Sequence, residues 1–384
     1  MAESITHSDT DVKTDLKSLN RKELKQFCQE LGLQSYRADQ LFQWLYQKGA
    51  SSFDEMTNLS KDLRARLNEI ATVRRIKIHN QQRSIDGTMK FLFELDNENR
   101  DKIEAVLIPD FYSDGTANRL TVCLSSQVGC IFGCSFCATG KMGFFRNLSH
   151  GEIVDQAQII NDIAEKEFGK KITNIVYMGM GEPLHNYEAV VESATIISDE
   201  MGIDLSPKRI TVSTVGLTKQ IKQLADEGQP FNLAISLHAA DDEKRNRIMP
   251  INQSLNLEKL EESVRYFFQE TMRPLTYEYL LFDEFNDSKH DAHKLADIVQ
   301  WVPSKVNIIM YNKVEGVDLS RAREHRLDSF MQTLVGRGVT ATVRRSRGDD
   351  IDAGCGQLAI REGQKRGKSM RKEWDETTAE QMNN

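Results

Sequence analysis

The chain has 384 residues, 39% of them hydrophobic and 28% charged, with a net charge of −7. This balance is ordinary for a soluble globular protein with room for one large domain and a small one. No apolar run approaches the length of a membrane span, and the first twenty residues lack the basic-then-apolar order of a signal peptide. A cytoplasmic protein with no membrane partner is therefore expected.

The negative total counts against a nucleic-acid partner, but it hides a local excess. Between Val343 and Lys372 nine basic residues (Arg344, Arg345, Arg347, Arg361, Lys365, Arg366, Lys368, Arg371 and Lys372) face four acidic ones, and Arg74, Arg75, Lys77 and Arg83 form a second group. Charge alone fits two solvated surfaces as well as it fits phosphate contacts.

In chain order, residues 1–15 are polar and aperiodic and are expected to be a disordered tail. Residues 16–73 follow helical spacing, with Leu24, Phe27, Cys28 and Leu31 on one stripe, and predict a small helical accessory domain in which Cys28 is a core residue. Residues 74–119 alternate apolar and polar side chains around Asp86-Gly87, which predicts a β-rich linking region with a hairpin. From 120 to 360 short β-branched runs (LTVCLSS, TNIVYMGM, RITVST, FNLAISLH, LTYEYLLF, KVNIIMY, TATVRR) alternate with helical patterns. Such alternation predicts an α/β parallel sheet, read as a partial barrel with functional groups at the C-terminal rim. A doubly wound open sheet is the alternative, though no G-x-G-x-x-G opens the first helix. Residues 361–384 are expected to be a basic, partly disordered tail.

Six cysteines occur, and three of them, Cys130, Cys134 and Cys137, stand within eight positions directly after the first barrel strand. In a reducing compartment such a triplet suggests a metal or cluster site rather than disulfides. Iron–sulfur cubanes take one thiolate per iron, so three thiolates on one loop leave one iron open to a further ligand. A zinc site would want a second ligand pair, and none lies nearby. Met178-Gly179-Met180-Gly181-Glu182-Pro183 ends the second strand; alone it reads as a tight turn. Ser213, Ser236-Leu237-His238 and Asn312 stand at later strand ends, where capping roles are equally open.

The C-x3-C-x2-C triplet with Phe136 resembles the signature of the radical S-adenosylmethionine superfamily. CATGKMGFFRNL, MGMGEPL, SLHA, MPIN and GDDIDAGCGQL, in that order, resemble the radical-SAM RNA adenine methyltransferases of the RlmN/Cfr family over roughly residues 16–365. GFFRNL and EPL look closer to the branch that methylates adenine carbon 2 than to the carbon-8 branch. The resemblance implies a partial (β/α)6 TIM-like barrel with an N-terminal helical accessory domain, a 4Fe-4S cluster on Cys130, Cys134 and Cys137, and S-adenosyl-L-methionine held by Gly181, Glu182, Ser213, Ser236, Leu237, His238 and Asn312. It implies that a methyl group passes to Cys355, that a 5′-deoxyadenosyl radical activates it, and that Cys123 frees the product by forming a disulfide with Cys355. Glu104 occupies the position of the base that takes the ring proton; from the residues alone it is a solvated strand-end carboxylate. Implied partners are 23S ribosomal RNA, transfer RNA and an electron donor such as flavodoxin or ferredoxin, the enzyme acting as a monomer. The chain departs from the family at Lys313-Val314-Glu315-Gly316-Val317, where a proline-rich turn is usual. Two other classes remain open at this point: a radical enzyme acting on a non-RNA substrate, and an iron–sulfur binding protein without turnover.

Overall fold

The computed structural model describes residues 13–360. The expected basic tail over 361–384, with Arg361, Lys365, Arg366, Lys368, Arg371 and Lys372, lies outside these residues, as does the expected tail up to residue 12. Thr14 and Asp15 correct that tail's end. They form β1 (Thr14–Asp15), which pairs parallel to β2 (Ala71–Thr72).

Between them lie α1 (Arg21–Glu30), α2 (Tyr36–Tyr46) and α3 (Lys61–Ile70). Asn20 and Glu23 form a reciprocal capping box that starts α1. The apolar stripes close on one another through Leu24, Cys28, Leu41, Leu45 and Leu67, none with any exposed surface, so Cys28 is the core residue expected.

The main sheet has ten strands. β3 (Lys77–Arg83), β4 (Met89–Glu94), β5 (Lys102–Phe111) and β6 (Ala117–Cys123) pair antiparallel, the first two around the predicted Asp86-Gly87 turn. A two-stranded ribbon of β7 (Gln127–Gly129) and β8 (Phe144–Asn147) encloses the cysteine loop and α4 (Ala138–Met142). Then α5 (His150–Phe168), β9 (Asn174–Tyr177), α6 (Tyr187–Ser198), β10 (Ile210–Thr214), α7 (Thr218–Asp226) and β11 (Asn232–Ser236) follow. The chain continues through α8 (Asp242–Ile248), α9 (Leu257–Thr271), β12 (Leu275–Leu281), α10 (Lys289–Val299), β13 (Ser304–Met310), α11 (Glu324–Gly336) and β14 (Ala341–Arg344).

The order β14-β13-β12-β11-β10-β9-β6-β5-β4-β3 is monotonic, with every neighbour from β6 to β14 parallel. A doubly wound sheet reverses its strand order at a switch point; this one never does. Six strand-helix steps followed by β14 give the expected partial barrel, left open and extended by the antiparallel strands. No helix among the described residues is long and apolar enough to cross a membrane.

The small unit is fixed to the barrel at α5. Lys17 and Asp155 form an ion pair with almost no exposed surface, and Asp155 also accepts from the Ile76 amide at 3.1 Å. Buried charges are tolerated when paired and hydrogen-bonded, and breaking such a pair costs about 3–5 kcal/mol.

Candidate active site

The cysteine loop is shaped by backbone conformation. Gly129 has φ +76°, and a Cβ there would lie 1.9 Å from the Gly143 carbonyl oxygen, whose other approach is to the Cys130 amide at 3.0 Å. The close crossing of β7 and α4's end therefore requires glycine. The loop closes on itself through the Cys137 amide to Cys134 oxygen, 3.1 Å, and is fastened to α8 by the Ser135 amide to Ile248 oxygen, 3.0 Å.

The three thiols face one inner cavity together with Gly181, Glu182, Ser213, Ser236 and His238. Burial pushes the Cys130 thiol up to about 12 and raises Cys134 and Cys137 as well, a desolvation cost that a bound cation offsets. Three free thiols around one cavity fit an iron–sulfur cluster with one metal left open. No three His, Cys, Asp or Glu side chains among the described residues are gathered as around a single metal ion.

Opposite the thiols, Gly181 at φ +97° brings the chain against Gln127, whose Cβ would lie 2.5 Å from an added Cβ. Gln127 Oε1 accepts from the Glu182 amide at 2.9 Å. The Glu182 carboxylate accepts from the Leu184 and Val215 amides, yet burial dominates and pushes it up to about 7. A buried carboxylate in this condition suits a cationic ligand group. His238 has a left-handed backbone, φ +58°, and its Nδ1 accepts from the Leu280 amide, which leaves the hydrogen on Nε2. Burial, then the charge of Arg245, lowers its pKa to about 3, so it is a neutral imidazole. Ser213 donates to the Tyr177 carbonyl at 2.6 Å.

Two of the expected cofactor residues stand off this cavity. Leu237 is fully buried and contributes its carbonyl to Arg245. Asn312 accepts from Ser346 at 2.6 Å and supports the Cys355 loop through Gln357 at 3.4 Å.

Cys355 is exposed to the cavity space, and it lines two cavities at once. One is the inner cavity. The other, of about 410 Å³, is shared with Cys123, has an apolar floor of Val176, Met178 and Ile309, and is rimmed by Arg119, Arg344, Arg345 and Arg347. The loop bearing Cys355 is held by hydrogen bonds on its far side. The Ala138 amide donates to Gly356 oxygen at 2.8 Å, and Thr139 donates to Leu358 oxygen at 2.6 Å, tying this loop to the residues directly after Cys137. Gly354 allows Asn312 close approach, since a Cβ there would lie 1.9 Å from Asn312 Nδ2. Gly356 instead has a left-handed backbone, φ +79°, with only ordinary contacts around it.

Cys123 and Cys355 are both free thiols, and the disulfide expected between them is absent. Surrounding protein pushes Cys123 up to about 12 and Cys355, although its side chain opens on both cavities, to about 11.

Glu104 lines neither cavity. It is buried in a neighbouring cleft, 3.3 Å from Lys90 Nζ, and accepts from the Ala359 amide at 2.9 Å. The solvated reading of this residue is corrected. Two residues that the sequence reasoning did not single out belong to the site. Glu278 lines the inner cavity, with Oε1 bonded to Asn307 at 2.8 Å and Oε2 3.6 Å from Arg344. Arg245 lies wholly buried behind the cavity wall. A charged residue inside the apolar run LTYEYLLF was the available signal for Glu278. The divergent loop meets the site through Lys141, which donates to the Glu315 and Gly316 carbonyls at 3.1 and 2.7 Å.

Comparison with known proteins agrees with this geometry. Residues 14–73 match the ribosomal RNA large subunit methyltransferase N-terminal domain, and residues 124–296 match the radical SAM superfamily. A probable dual-specificity RNA methyltransferase RlmN from Salinibacter ruber is 53% identical over 93% of this chain and 96% of its own length. A dual-specificity RNA methyltransferase RlmN from Pelobacter propionicus is 43% identical over 90% of this chain and 96% of its own. The crystal structure of a radical SAM methyltransferase from Sphaerobacter thermophilus superposes with a TM-score of 0.83, at 42% identity, covering 90% of this chain and 99% of that one. Domain order, sheet and cysteine placement thus converge: the chain belongs to the RlmN family of radical SAM dual-specificity RNA methyltransferases.

Proposed function

We propose that the protein methylates carbon 2 of adenine in ribosomal and transfer RNA, with Cys130, Cys134 and Cys137 holding a 4Fe-4S cluster. The observation that carries this reading is Cys355, the thiol common to the cavity of the cysteine triplet and to the arginine-rimmed cavity of Cys123. When bound, the cluster and S-adenosyl-L-methionine supply a methyl group and a 5′-deoxyadenosyl radical, chemistry that the protein itself lacks.

The chain's own residues then have separable tasks. Glu182 receives the cofactor's ammonium group, and Gly181 lets backbone approach it. Neutral His238, Ser213 and Ser236 orient the remainder of the cofactor. Cys355 carries the methyl group from the inner cavity to the outer one, and Cys123 is the second thiol that frees the product. The arginine rim takes RNA phosphates, and the apolar floor takes the base, which excludes water from the reacting carbon. Two carboxylates compete for the ring proton. Glu278 lines the cavity with Cys355, whereas Glu104 stands behind Ala359 and is held by Lys90. A low-potential one-electron donor of the flavodoxin or ferredoxin kind completes the set.

Mapping 2-methyladenosine in ribosomal and transfer RNA from cells with and without the gene tests the reaction. Loss at adenine in both RNA classes is expected; unchanged maps overturn it. Comparing Glu104→Gln with Glu278→Gln in single turnover assigns the base, since only the true acceptor's loss leaves adduct formation intact while blocking product release.

A further inference from the structure

Arg245 lies in the middle of α8 with no exposed surface. Its guanidinium donates from Nε to the Leu237 carbonyl at 3.1 Å, from Nη2 to the Val215 and Ser236 carbonyls at 2.6 and 3.4 Å, and from Nη1 to Asn252 Oδ1 at 2.5 Å. Every one of these acceptors is neutral. Among the described residues no carboxylate stands within ion-pair distance of it. Asp242, the acidic residue that it feels, is occupied by Asn252 and by the Leu257 amide.

Neutral acceptors satisfy the donors of a guanidinium but leave its charge in place. A buried charge with no carboxylate paired directly to it is costly, so its retention calls for a further partner. Burial lowers the Arg245 pKa to about 10, still well above neutrality, so the cation persists. Val215 and Ser236, whose carbonyls it holds, line the cavity onto which the Cys134 sulfur opens. The loop bearing that sulfur is hydrogen-bonded to the same helix, through the Ser135 amide to Ile248 oxygen at 3.0 Å.

We propose that Arg245 is the built-in counter-charge of the cluster held by Cys130, Cys134 and Cys137, placed behind the wall of their cavity so as to favour the reduced, more negative state. The inference rests on the cluster reading given above. Arg245 lines neither cavity and touches no reacting atom, so it is a positioning residue acting through charge. One-electron reduction, by an external low-potential donor, adds one negative charge to the site. A fixed cation nearby stabilises that added charge, and in a buried setting the effect is poorly screened.

The test uses the full-length protein, reconstituted anaerobically with iron and sulfide, as wild type, Arg245→Lys and Arg245→Met. Lysine keeps the charge but cannot reproduce the three carbonyl bonds; methionine keeps the bulk and removes the charge. The readout is the cluster's midpoint potential, from a dithionite titration followed by electron paramagnetic resonance. Arg245→Met should be at least tenfold harder to reduce, which is a midpoint about 59 mV more negative. Arg245→Lys should stay within about a third of that shift. Melting of apo and loaded forms gives an independent arm. Loading should raise the melting temperature less in Arg245→Met than in wild type, with lysine restoring the gain. Cluster uptake by the lysine variant alone also supports the proposal, because charge is then sufficient. A methionine variant titrating at the wild-type midpoint overturns it, as does loss of the cluster from both variants, which would assign Arg245 to hydrogen bonding alone. If wild type itself takes up no iron, the cluster reading fails instead.

Discussion

The two cavities that meet at Cys355 are built by different means. The inner one presents thiols, Glu182 and His238 that are held in place by backbone: two left-handed glycines, a left-handed histidine, and carbonyls and amides at the ends of parallel strands. The outer one is made of side chains, an apolar floor and an arginine rim, drawn from both the antiparallel and the parallel parts of the sheet. Backbone fixes atoms to within tenths of an ångström, as a cofactor with a single productive geometry requires. Arginines on a rim tolerate variation in a flexible polyanion and read its charge. The difference teaches that one fold can hold a rigid site and an adaptable one side by side, with a single thiol common to both.

The comparison breaks most readily at the cysteine triplet. Cys134→Ala should abolish iron binding and all methyl transfer, yet leave RNA affinity within about twofold, since the rim is untouched. Iron analysis and a filter-binding assay decide it; RNA affinity lost together with iron would make the two cavities one unit.

Nearly as large is the contrast between the two outer thiols. Cys355→Ala should keep the cluster and cofactor binding and transfer no methyl group. Cys123→Ala should instead accumulate RNA covalently attached to Cys355, seen as a retarded band on a denaturing gel and mapped by peptide mass spectrometry. Normal turnover of Cys123→Ala would remove the second thiol from the mechanism.

Glu182 gives the inner cavity a pH signature. Its folded pKa, about 7, lies above the ordinary value of 4.5, so its contribution to stability is full below about pH 4.5 and is lost as pH rises through about 7. Between about pH 5 and 8 the apo wild type should lose on the order of 3 kcal/mol relative to Glu182→Gln. Denaturant titrations at several pH values measure this, and parallel curves for the two proteins would contradict it.

Smaller effects separate the cavities further. Gly181→Ala forces a side chain into a left-handed position against Gln127, and cofactor affinity should fall about tenfold while RNA binding holds. Arg345→Gln should do the reverse: cofactor binding unchanged, and the slope of log affinity against log salt reduced by about 1. An unchanged slope would return Arg345 to ordinary solvated surface.

Much of the inner cavity was legible in the sequence because its signals are local. Three thiols within eight positions and a G-x-G-E turn carry their spacing with them, and apolar alternation marked the strands between. What could not be read were relations across the sheet. Glu278 stands out as a charge inside an apolar run and Arg245 is hidden in the charged run DDEKRNR, and only the fold shows that one faces the cavity and the other is walled in behind it. Asn312 and Leu237 stand at strand ends, as periodicity implied, but a shift of one position along a strand turns a side chain to the other face. Glu104 is a different case: two ladder positions from Val106, the partner of Cys123, it shares that residue's face of the strand and still opens on a different cleft. The polar tail was drawn too long because two residues, Thr14 and Asp15, give no periodic signal and gain their order only from Ala71 and Thr72.

That short pairing has a consequence for how the molecule can be taken apart. Because β1 and β2 lie side by side, the chain enters and leaves the helical unit at nearly the same point, with neighbouring strands about 4.8 Å apart. A unit with adjoining ends can be exchanged between relatives, or replaced by a brief connector, without retying the barrel. The graft must carry one condition with it. Asp155 belongs to the barrel and its nearer cation, Lys17, to the unit, so a barrel deprived of the unit keeps only Arg75, 4.0 Å away, to answer that charge at the cut.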